Sequence, residues 1–211
     1  MKKLVLSLFL MSSILIVNAQ NFQFLKGINP DKSNVNFATF ELYKPLDHGA
    51  LYFFTDFKMS KEGFVESYSE ISKYWNVGKI GAVTLQYNAG LNKDFQIQPV
   101  YLAGVSKLFE FGDAPFVLSF DILYRHQKEL ILENEKANGY QITMIFLQDM
   151  KRIQLSGYCD YWSGNYYIFE PQGWFKLFER VWIGLEWRAS NYNLLEDYEN
   201  YMMFGVKWNL E

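Results

Sequence analysis

The sequence has little of what disulfide-stabilised scaffolds and metal enzymes need. Its 211 residues contain one cysteine, Cys159, and two histidines, His48 and His126. A single cysteine cannot form a disulfide within the chain, so a disulfide-based secreted scaffold is excluded. These three residues offer no zinc-ligand spacing, and no glycine-rich phosphate loop is present. We therefore expect no metal and no other cofactor.

Clustered positive charge is also missing. The formal net charge is −3, and no basic patch of the kind that binds nucleic acid is present, so nucleic acid is not an expected partner. Neither histidine lies near a serine in a recognisable nucleophile context, and we predict that the protein is not an enzyme. A lipid-modifying barrel enzyme, which would need a Ser/His/acid set, is a minor alternative.

The N-terminus has the three parts of a secretory signal peptide in their usual order. Residues 2–3 are lysines, residues 4–17 form an apolar run broken only by serines, and residues 17–19 (Val-Asn-Ala) resemble a cleavage site. The apolar run is shorter than the roughly 20 residues that a membrane-spanning helix needs. We predict a signal peptide over residues 1–19 and a single exported domain over residues 20–211.

Aromatic residues, in contrast, are abundant: the chain has 19 Phe, 15 Tyr and 6 Trp. A soluble domain of this size could hide so many rings only in a large core. A transmembrane barrel can place them in its lipid-facing band and in its two interfacial girdles. The soluble alternative, an exported β-sandwich or a lipocalin-like barrel, would turn its polar faces outward instead.

The repeated pattern after residue 19 has period two, in segments of about ten residues, as transmembrane strands require. Residues 116–124 are the clearest segment, and residues 153–161, 181–189 and 201–210 repeat the scheme. Four faces are predicted to contact lipid, those that carry Phe120, Leu155, Ile183 and Phe204. The opposite faces are predicted to point inward, and they carry Asp121, Gln154, Glu186 and Lys207.

The alternation predicts about eleven strands, separated by turn-forming residues. Bacterial single-chain barrels have even strand numbers, so one strand is missing or one is split. Residues 22–28 are the best candidate for a missing first strand. The predicted fold is therefore an all-β, antiparallel, up-and-down transmembrane barrel of 12 strands, with ten as the fallback. Residues 127–139 form the longest polar insertion and are predicted to be an exposed loop.

The predicted inward faces mix charged groups with rings. The charged members are Asp56, Glu66, Glu70, Asp121, Asp160, Glu170 and Glu186, with Lys58, Arg125, Arg152, Lys176, Arg188 and Lys207. In one interpretation these charges only pair and fill the barrel, which then acts as an envelope scaffold or a surface-interaction protein. In the other they line a narrow passive channel for small neutral polar solutes, because a barrel of this size lies between filled and open ones. Rings beside carboxylates and amides suit sugars, nucleobases and nucleosides.

Four motifs, in order, resemble those of the Tsx-like outer-membrane proteins, the nucleoside-specific channel-forming family. They are residues 49–57 (GALYFFTDF), 68–72 (YSEIS), 169–175 (FEPQGWF) and 183–191 (IGLEWRASN). The similarity is greatest to an uncharacterised Bacteroidetes-type branch of that superfamily. It implies a twelve-stranded barrel and nucleoside transport.

The lining of such a channel can be predicted residue by residue. We expect a constriction built from Asp56, Glu70, Glu170, Glu186 and Arg188. Gln172 is expected to face the same lumen, and Tyr52, Phe54 and Trp174 are expected to be stacking platforms. Proline cannot donate a ladder hydrogen bond, so Pro171 is expected at a bulge or near a rim.

The predicted location follows from the signal peptide and the barrel. We expect the cell outer membrane of a Gram-negative-type envelope, reached by export. The expected partners are outer-membrane lipid and a small-molecule solute, with nucleosides as one class. A monomer is the favoured oligomeric state.

Overall fold

The structure is a computed structural model that describes residues 20–28, 35–94, 96–111, 116–127, 137–192 and 199–210. The predicted signal peptide and most of the predicted loop at 127–139 lie outside these residues. Twelve strands are present in the described part: β1 (Gln20–Gly27), β2 (Asn36–Leu46), β3 (Gly49–Ser60), β4 (Gly63–Val77), β5 (Gly81–Asn92), β6 (Gln96–Phe111), β7 (Phe116–Gln127), β8 (Asn138–Met150), β9 (Ile153–Trp162), β10 (Tyr166–Lys176), β11 (Val181–Ser190) and β12 (Glu199–Asn209).

The strands form one closed antiparallel barrel in which each strand pairs with its neighbours in sequence and β1 pairs with β12. The prediction of 12 strands is confirmed, and the fallback of ten is not needed. The missing first strand is β1, which covers most of the predicted residues 22–28. Closure matters physically because it leaves no strand edge whose backbone groups would face lipid without partners.

The two faces of the barrel wall follow the period-two pattern. On β7 the outward Phe120 is 38% exposed and Ile122 is 62% exposed, whereas the inward Asp121 and Leu123 are each 1% exposed. The predicted orientation of β9, β11 and β12 is confirmed in the same way. The large apolar side chains thus form an outer band, as in a membrane barrel. The sandwich and lipocalin-like alternatives, which would put their apolar faces inside, are wrong.

The connections at the two ends of the barrel differ in length. At one end, here called the turn end, consecutive strands are joined by two to four residues. At the opposite end, the loop end, three connections are short, while residues 28–35, 128–137 and 191–198 join β1 to β2, β7 to β8 and β11 to β12. Gly78 supplies a positive φ of 56° in the turn between β4 and β5, a conformation that glycine adopts without steric cost.

Two expectations about individual residues are wrong. Arg152 does not face the interior, because it lies with Lys151 in the turn between β8 and β9. Pro171 lies in the middle of β10 and not at a bulge: the register of β10 with β9 is continuous through the Pro171–Gly157 pair. The ladder with β11 keeps one register on both sides of Pro171 and only lacks the pairs at Glu170 and Pro171.

Strand alternation explains why no bulge is needed. Pro171 points outward and lies directly beside Gly157 of β9: a Cβ on Gly157 would lie 2.7 Å from the Cα of Pro171. Glu170 and Gln172 point inward simply because they flank it. Register shifts occur instead at Lys58/Met59 and at Asn88/Gly90, both near the loop end. None of the described residues forms a helix long and apolar enough to cross a membrane.

Candidate functional site

The turn-end part of the interior is filled by two indole rings and a lysine. The ammonium of Lys207 lies 4.6 Å from the centroid of the Trp174 ring and 5.4 Å from that of Trp182. Lys207 also donates a hydrogen bond to Gln154 Oε1 on the opposite side of this cluster. Gly184 makes room for Trp174, because a Cβ there would lie 2.5 Å from Cε3 of the indole. The buried lysine is thus held by two cation–π contacts and a charge-assisted hydrogen bond.

A chain of polar contacts leads from Trp174 toward the loop end. Trp174 Nε1 donates to Gln172 Oε1 (2.9 Å), and Gln172 Nε2 donates to Glu186 Oε2 (2.7 Å). Glu186 is in turn 3.9 Å from Arg188 Nε. The chain connects packing at the turn end with a charged group in the middle of the barrel.

Arg188 is the centre of that charged group. Its Nε lies 2.5 Å from Glu170 Oε1, and its Nη2 lies 3.5 Å from Asp56 Oδ2. The guanidinium carbon is 4.4 Å from the centroid of the Phe37 ring. We call Arg188, Asp56, Glu170 and Glu186 the Arg188 cluster. It joins β3 to β10 and β11 across the lumen, and it holds one cation against three carboxylates.

The other side of the interior is packed by neutral and acidic groups. Tyr74 Oη donates to Asp121 Oδ2 across the lumen (3.2 Å), from β4 to β7. Thr143 Oγ1 donates to Asp160 Oδ1 (2.5 Å), and Thr84 and Ser106 share a hydrogen bond between their hydroxyls. Many interior side chains are almost inaccessible, among them Ser72, Thr84, Asp121, Trp174, Tyr201 and Met203. The interior at mid-depth is packed rather than open.

A cavity of about 190 Å³ lies above this packed layer, toward the loop end. We call it the vestibule. Its floor is formed by Asp56, Glu170 and Arg188 of the Arg188 cluster. The rest of its wall combines charged groups, amides, rings, aliphatic side chains and one hydroxyl: Lys58, Glu66, Arg125 and Asp160; Asn88, Asn92, Gln98, Gln127 and Gln141; Phe37, Tyr68, Tyr158, Trp162 and Tyr192; Val65, Ala89, Ile97, Val100 and Ile168; Ser190.

Among the uncharged side chains of the vestibule wall, two polar atoms have no hydrogen-bond partner within the described residues. They are the acceptor Gln127 Oε1 and the donor Trp162 Nε1. Both side chains are strongly buried, Gln127 at 1% and Trp162 at 4% exposure. A buried polar atom without a partner costs about 1–3 kcal/mol, so two in one wall mark a place where the fold gives up stability.

The predicted lining residues fall into three groups: those in or next to the Arg188 cluster, Glu70, and the three expected platforms. Asp56, Glu170, Glu186 and Arg188 come together as the Arg188 cluster, and Gln172 bonds to Glu186. Glu70 lies apart on β4, where it accepts a hydrogen bond from Ser72 (3.2 Å).

The three expected platforms are packed against other side chains. The Tyr52 and Phe54 rings are 5.9 Å apart, and the Phe54 and Tyr68 rings are 5.8 Å apart. Trp174 is buried under Lys207. None of the three lines the vestibule.

Sequence reasoning missed the amides of the vestibule and the contact that orients Asp56. Thr39 Oγ1 donates to Asp56 Oδ1 (2.5 Å). The amides could have been found by extending the alternation: Gln127 lies six residues after Asp121 on the same face of β7, and Gln141 precedes Thr143 on β8. Polar uncharged residues are a weak signal by themselves, because they are common in loops as well as in barrel interiors.

Two further observations concern the residue types that serve as metal ligands, bases or nucleophiles. They include no group of three or more His, Cys, Asp or Glu side chains arranged to hold a metal ion. His126 lies on the outer face of β7, and its Nδ1 is 2.7 Å from Asn138 Oδ1. None of the hydrogen bonds of the described residues joins a serine to His48 or His126.

A closed twelve-stranded barrel with an outer apolar band and a polar interior has the architecture of outer-membrane channels. Comparison with solved structures supports this architecture. The "KdgM porin" matches with a TM-score of 0.53 at 10% identity, over 92% of this chain and 100% of that chain. The COG4313 outer membrane channel from Pseudomonas putida F1 matches with a TM-score of 0.50 at 8% identity, over 92% of this chain and 96% of that chain. At these identities the likeness establishes the fold.

The family is shown by sequence. A family model described as "Domain of unknown function (DUF5020)" matches residues 23–210, and the chain belongs to that family. None of the curated proteins searched matches the sequence. The resemblance to Tsx-like proteins stays a prediction, because these structures support the barrel, and neither they nor the family model extends to nucleoside specificity.

Proposed function

We propose that this protein is a narrow passive channel of the outer membrane for small, uncharged, hydrogen-bonding solutes. The observation that carries the proposal is the vestibule, a cavity with many polar groups in its wall that opens toward the loop end and leads down to the Arg188 cluster. A barrel that served only as a packed scaffold would have no need for a recess lined by charges, amides and rings. The outer apolar band supports placement in a membrane.

The orientation follows from the connections. Bacterial outer-membrane barrels have short periplasmic turns and longer extracellular loops. The turn end therefore faces the periplasm, and the loop end, with the vestibule, faces the outside. The predicted signal peptide over residues 1–19 agrees with export to this location. A solute would then enter the vestibule from outside and meet the Arg188 cluster before the packed layer.

The charge of the interior favours solutes that are not anionic. The vestibule has four carboxylates and three cations in its wall, and Glu186 adds a further carboxylate just below its floor. One solved relative in fold is titled "KdgM porin in complex with disordered oligogalacturonate", a polyanionic sugar chain. A polyanion would meet repulsion from Asp56, Asp160 and Glu170 in this chain. Neutral solutes, nucleosides among them, would not.

Passage below the vestibule requires the packed side chains to move. The layer is held by side-chain hydrogen bonds and ring contacts, and Trp174 is the largest fully buried side chain in it. Side-chain rotation can open such a layer without altering the barrel wall, whose backbone bonds run between neighbouring strands. We expect a small conductance with low solute flux, since only narrow openings form.

Planar-bilayer conductance and liposome swelling with the purified barrel test this function. The wild-type protein is expected to give small single-channel events and to admit neutral solutes of nucleoside or monosaccharide size. Trp174→Ala removes the largest packed side chain and is expected to raise the conductance. Trp187→Ala is the matched control: Trp187 lies on the outer face, 41% exposed, and its loss is expected to leave the conductance unchanged.

A second function is favoured by one observation, the packed interior at mid-depth. If correctly inserted wild-type protein gives neither conductance nor flux, the barrel does not transport. Its role would then be that of an envelope scaffold or a surface-interaction protein, with contacts made at the loop end. Equal conductance for Trp174→Ala and the wild type would likewise contradict a pathway past Trp174.

A further inference from the structure

One wall of the vestibule is rich in amides. Asn88 and Asn92 come from β5, Gln98 from β6, Gln127 from β7 and Gln141 from β8, so four neighbouring strands each contribute. We call these five residues the amide wall. An amide side chain carries a hydrogen-bond donor and an acceptor without net charge. Such a wall suits a ligand whose surface alternates donors and acceptors.

The two unpartnered atoms lie in or beside this wall. Gln127 Oε1 needs a donor, and Trp162 Nε1 needs an acceptor. A hydroxyl group can supply either, because it donates one hydrogen bond and accepts two. A carboxylate can only accept, so it could serve Trp162 and would leave Gln127 unsatisfied. A ligand with several neighbouring hydroxyls matches both atoms at once.

Ring stacking is a weaker basis for recognition here. The guanidinium of Arg188 covers the Phe37 ring at 4.4 Å, and that of Arg125 lies 5.5 Å from the Trp162 ring centroid. Phe37 and Trp162 are also both strongly buried. A nucleobase relies on an open ring face, and these two faces are already occupied by cations. The unpartnered hydrogen-bonding groups are therefore a better basis for recognition than these two rings.

We propose that the vestibule is a binding site for uncharged, polyhydroxylated solutes, that is, short neutral saccharides, with Gln127 and Trp162 as specificity-determining residues. The inference deepens the proposed channel function by naming its substrate class. It rests on that function only for access to the vestibule from outside. Uronate chains are disfavoured by the excess of four carboxylates over three cations in the wall, and nucleosides by the cations that cover Phe37 and Trp162.

Isothermal titration of the detergent-solubilised full-length barrel tests the site, with maltotriose, trigalacturonate and adenosine as probes. Maltotriose is expected to bind at least tenfold more tightly than either other probe. Gln127→Leu is expected to weaken maltotriose binding about tenfold, the effect of removing one buried hydrogen bond to ligand. Gln148→Leu is the matched control, because Gln148 lies on the outer face of β8. This variant is expected to bind maltotriose as tightly as the wild type does.

Folding is checked by heat-modifiable migration on gels. If Gln127→Leu does not fold, Trp162→Phe, which keeps an aromatic ring and removes only the Nε1 donor, is expected to show the same loss. Unchanged maltotriose binding in the folded Gln127 variant, or in the Trp162 variant when that one decides, would overturn the proposal. So would tighter binding of adenosine or trigalacturonate.

The proposed binding site and the proposed channel function can be refuted independently of each other. Saccharide binding without conductance would support the proposed binding site and refute the channel function. Conductance and flux of neutral solutes without saccharide binding would support the channel function and refute the proposed binding site.

Discussion

Arginine in place of Phe120 on the outer face of β7 is expected to destabilise the inserted barrel by about 2–4 kcal/mol, the cost of a cationic side chain at the bilayer midplane. The depth follows from the strand. A strand rises about 3.4 Å per residue and tilts by about 40°, so each residue adds about 2.6 Å of height. The strand β7 has 12 residues, and Phe120 lies about 4 Å from its centre by this measure.

The matched control is His126→Arg on the same face of the same strand. His126 lies about 12 Å from the centre of β7 by the same reckoning, at the edge of an apolar band that is about 25 Å tall. Arginine there can reach the headgroup region, so the expected loss is at most about 1 kcal/mol. The two substitutions share a strand, a face and an introduced side chain, so their difference isolates depth.

Reversible urea unfolding from phosphatidylcholine vesicles, followed by tryptophan fluorescence, measures both losses. The midpoint is expected to fall for Phe120→Arg while the slope stays the same, because the surface exposed on unfolding does not change. Equal losses at positions 120 and 126, or no loss at 120, would refute the assignment of this face to lipid.

Two further predictions concern the interior. Arg188→Met is expected to cost about 3–5 kcal/mol in the same unfolding assay, because it leaves buried carboxylates without their cation. Adding Glu170→Gln to this variant is expected to restore part of the lost stability. A double variant no more stable than Arg188→Met alone would contradict the ion-pair explanation. Gly184→Ala is expected to cost about 1–3 kcal/mol, because the added Cβ would lie 2.4 Å from the Gly173 carbonyl oxygen and 2.5 Å from the Trp174 indole, and both would have to shift. Gly173→Ala should be nearly neutral, since a Cβ at Gly173 meets only a leucine methyl at 3.7 Å, and similar losses at the two glycines would show that the space beside Trp174 is not limiting.

Much of the barrel could be predicted from local pattern. Side chains alternate strictly along a strand, so the sequence around Phe120 and Asp121 decides which of them contacts lipid once the barrel is known to lie in a membrane. The same rule located β1 from a short alternating segment and an even strand count. It also explains why Glu170 and Gln172 face inward, while the bulge expected at Pro171 was wrong: proline loses one donor and, when it points outward, the register continues through it.

The contacts across the lumen were beyond what the pattern could predict. Asp56 and Arg188 are 132 positions apart in sequence, and nothing local indicates that they meet. Glu70 carries the same charge and faces the same lumen, yet it bonds to Ser72 instead of joining the Arg188 cluster. Such differences depend on the height of each residue in the wall.

The sequence by itself determined the strands, their faces and the class of barrel, because these follow from alternation and from the need to satisfy every backbone group in lipid. Only the tertiary structure decided which inward side chains meet, that Trp174 packs under Lys207, and that an amide wall encloses a vestibule. The physical reason is that alternation fixes the direction of a side chain but not its height. Height is set by the stagger of twelve tilted strands and by the closing pair of β1 with β12, and both are properties of the whole barrel.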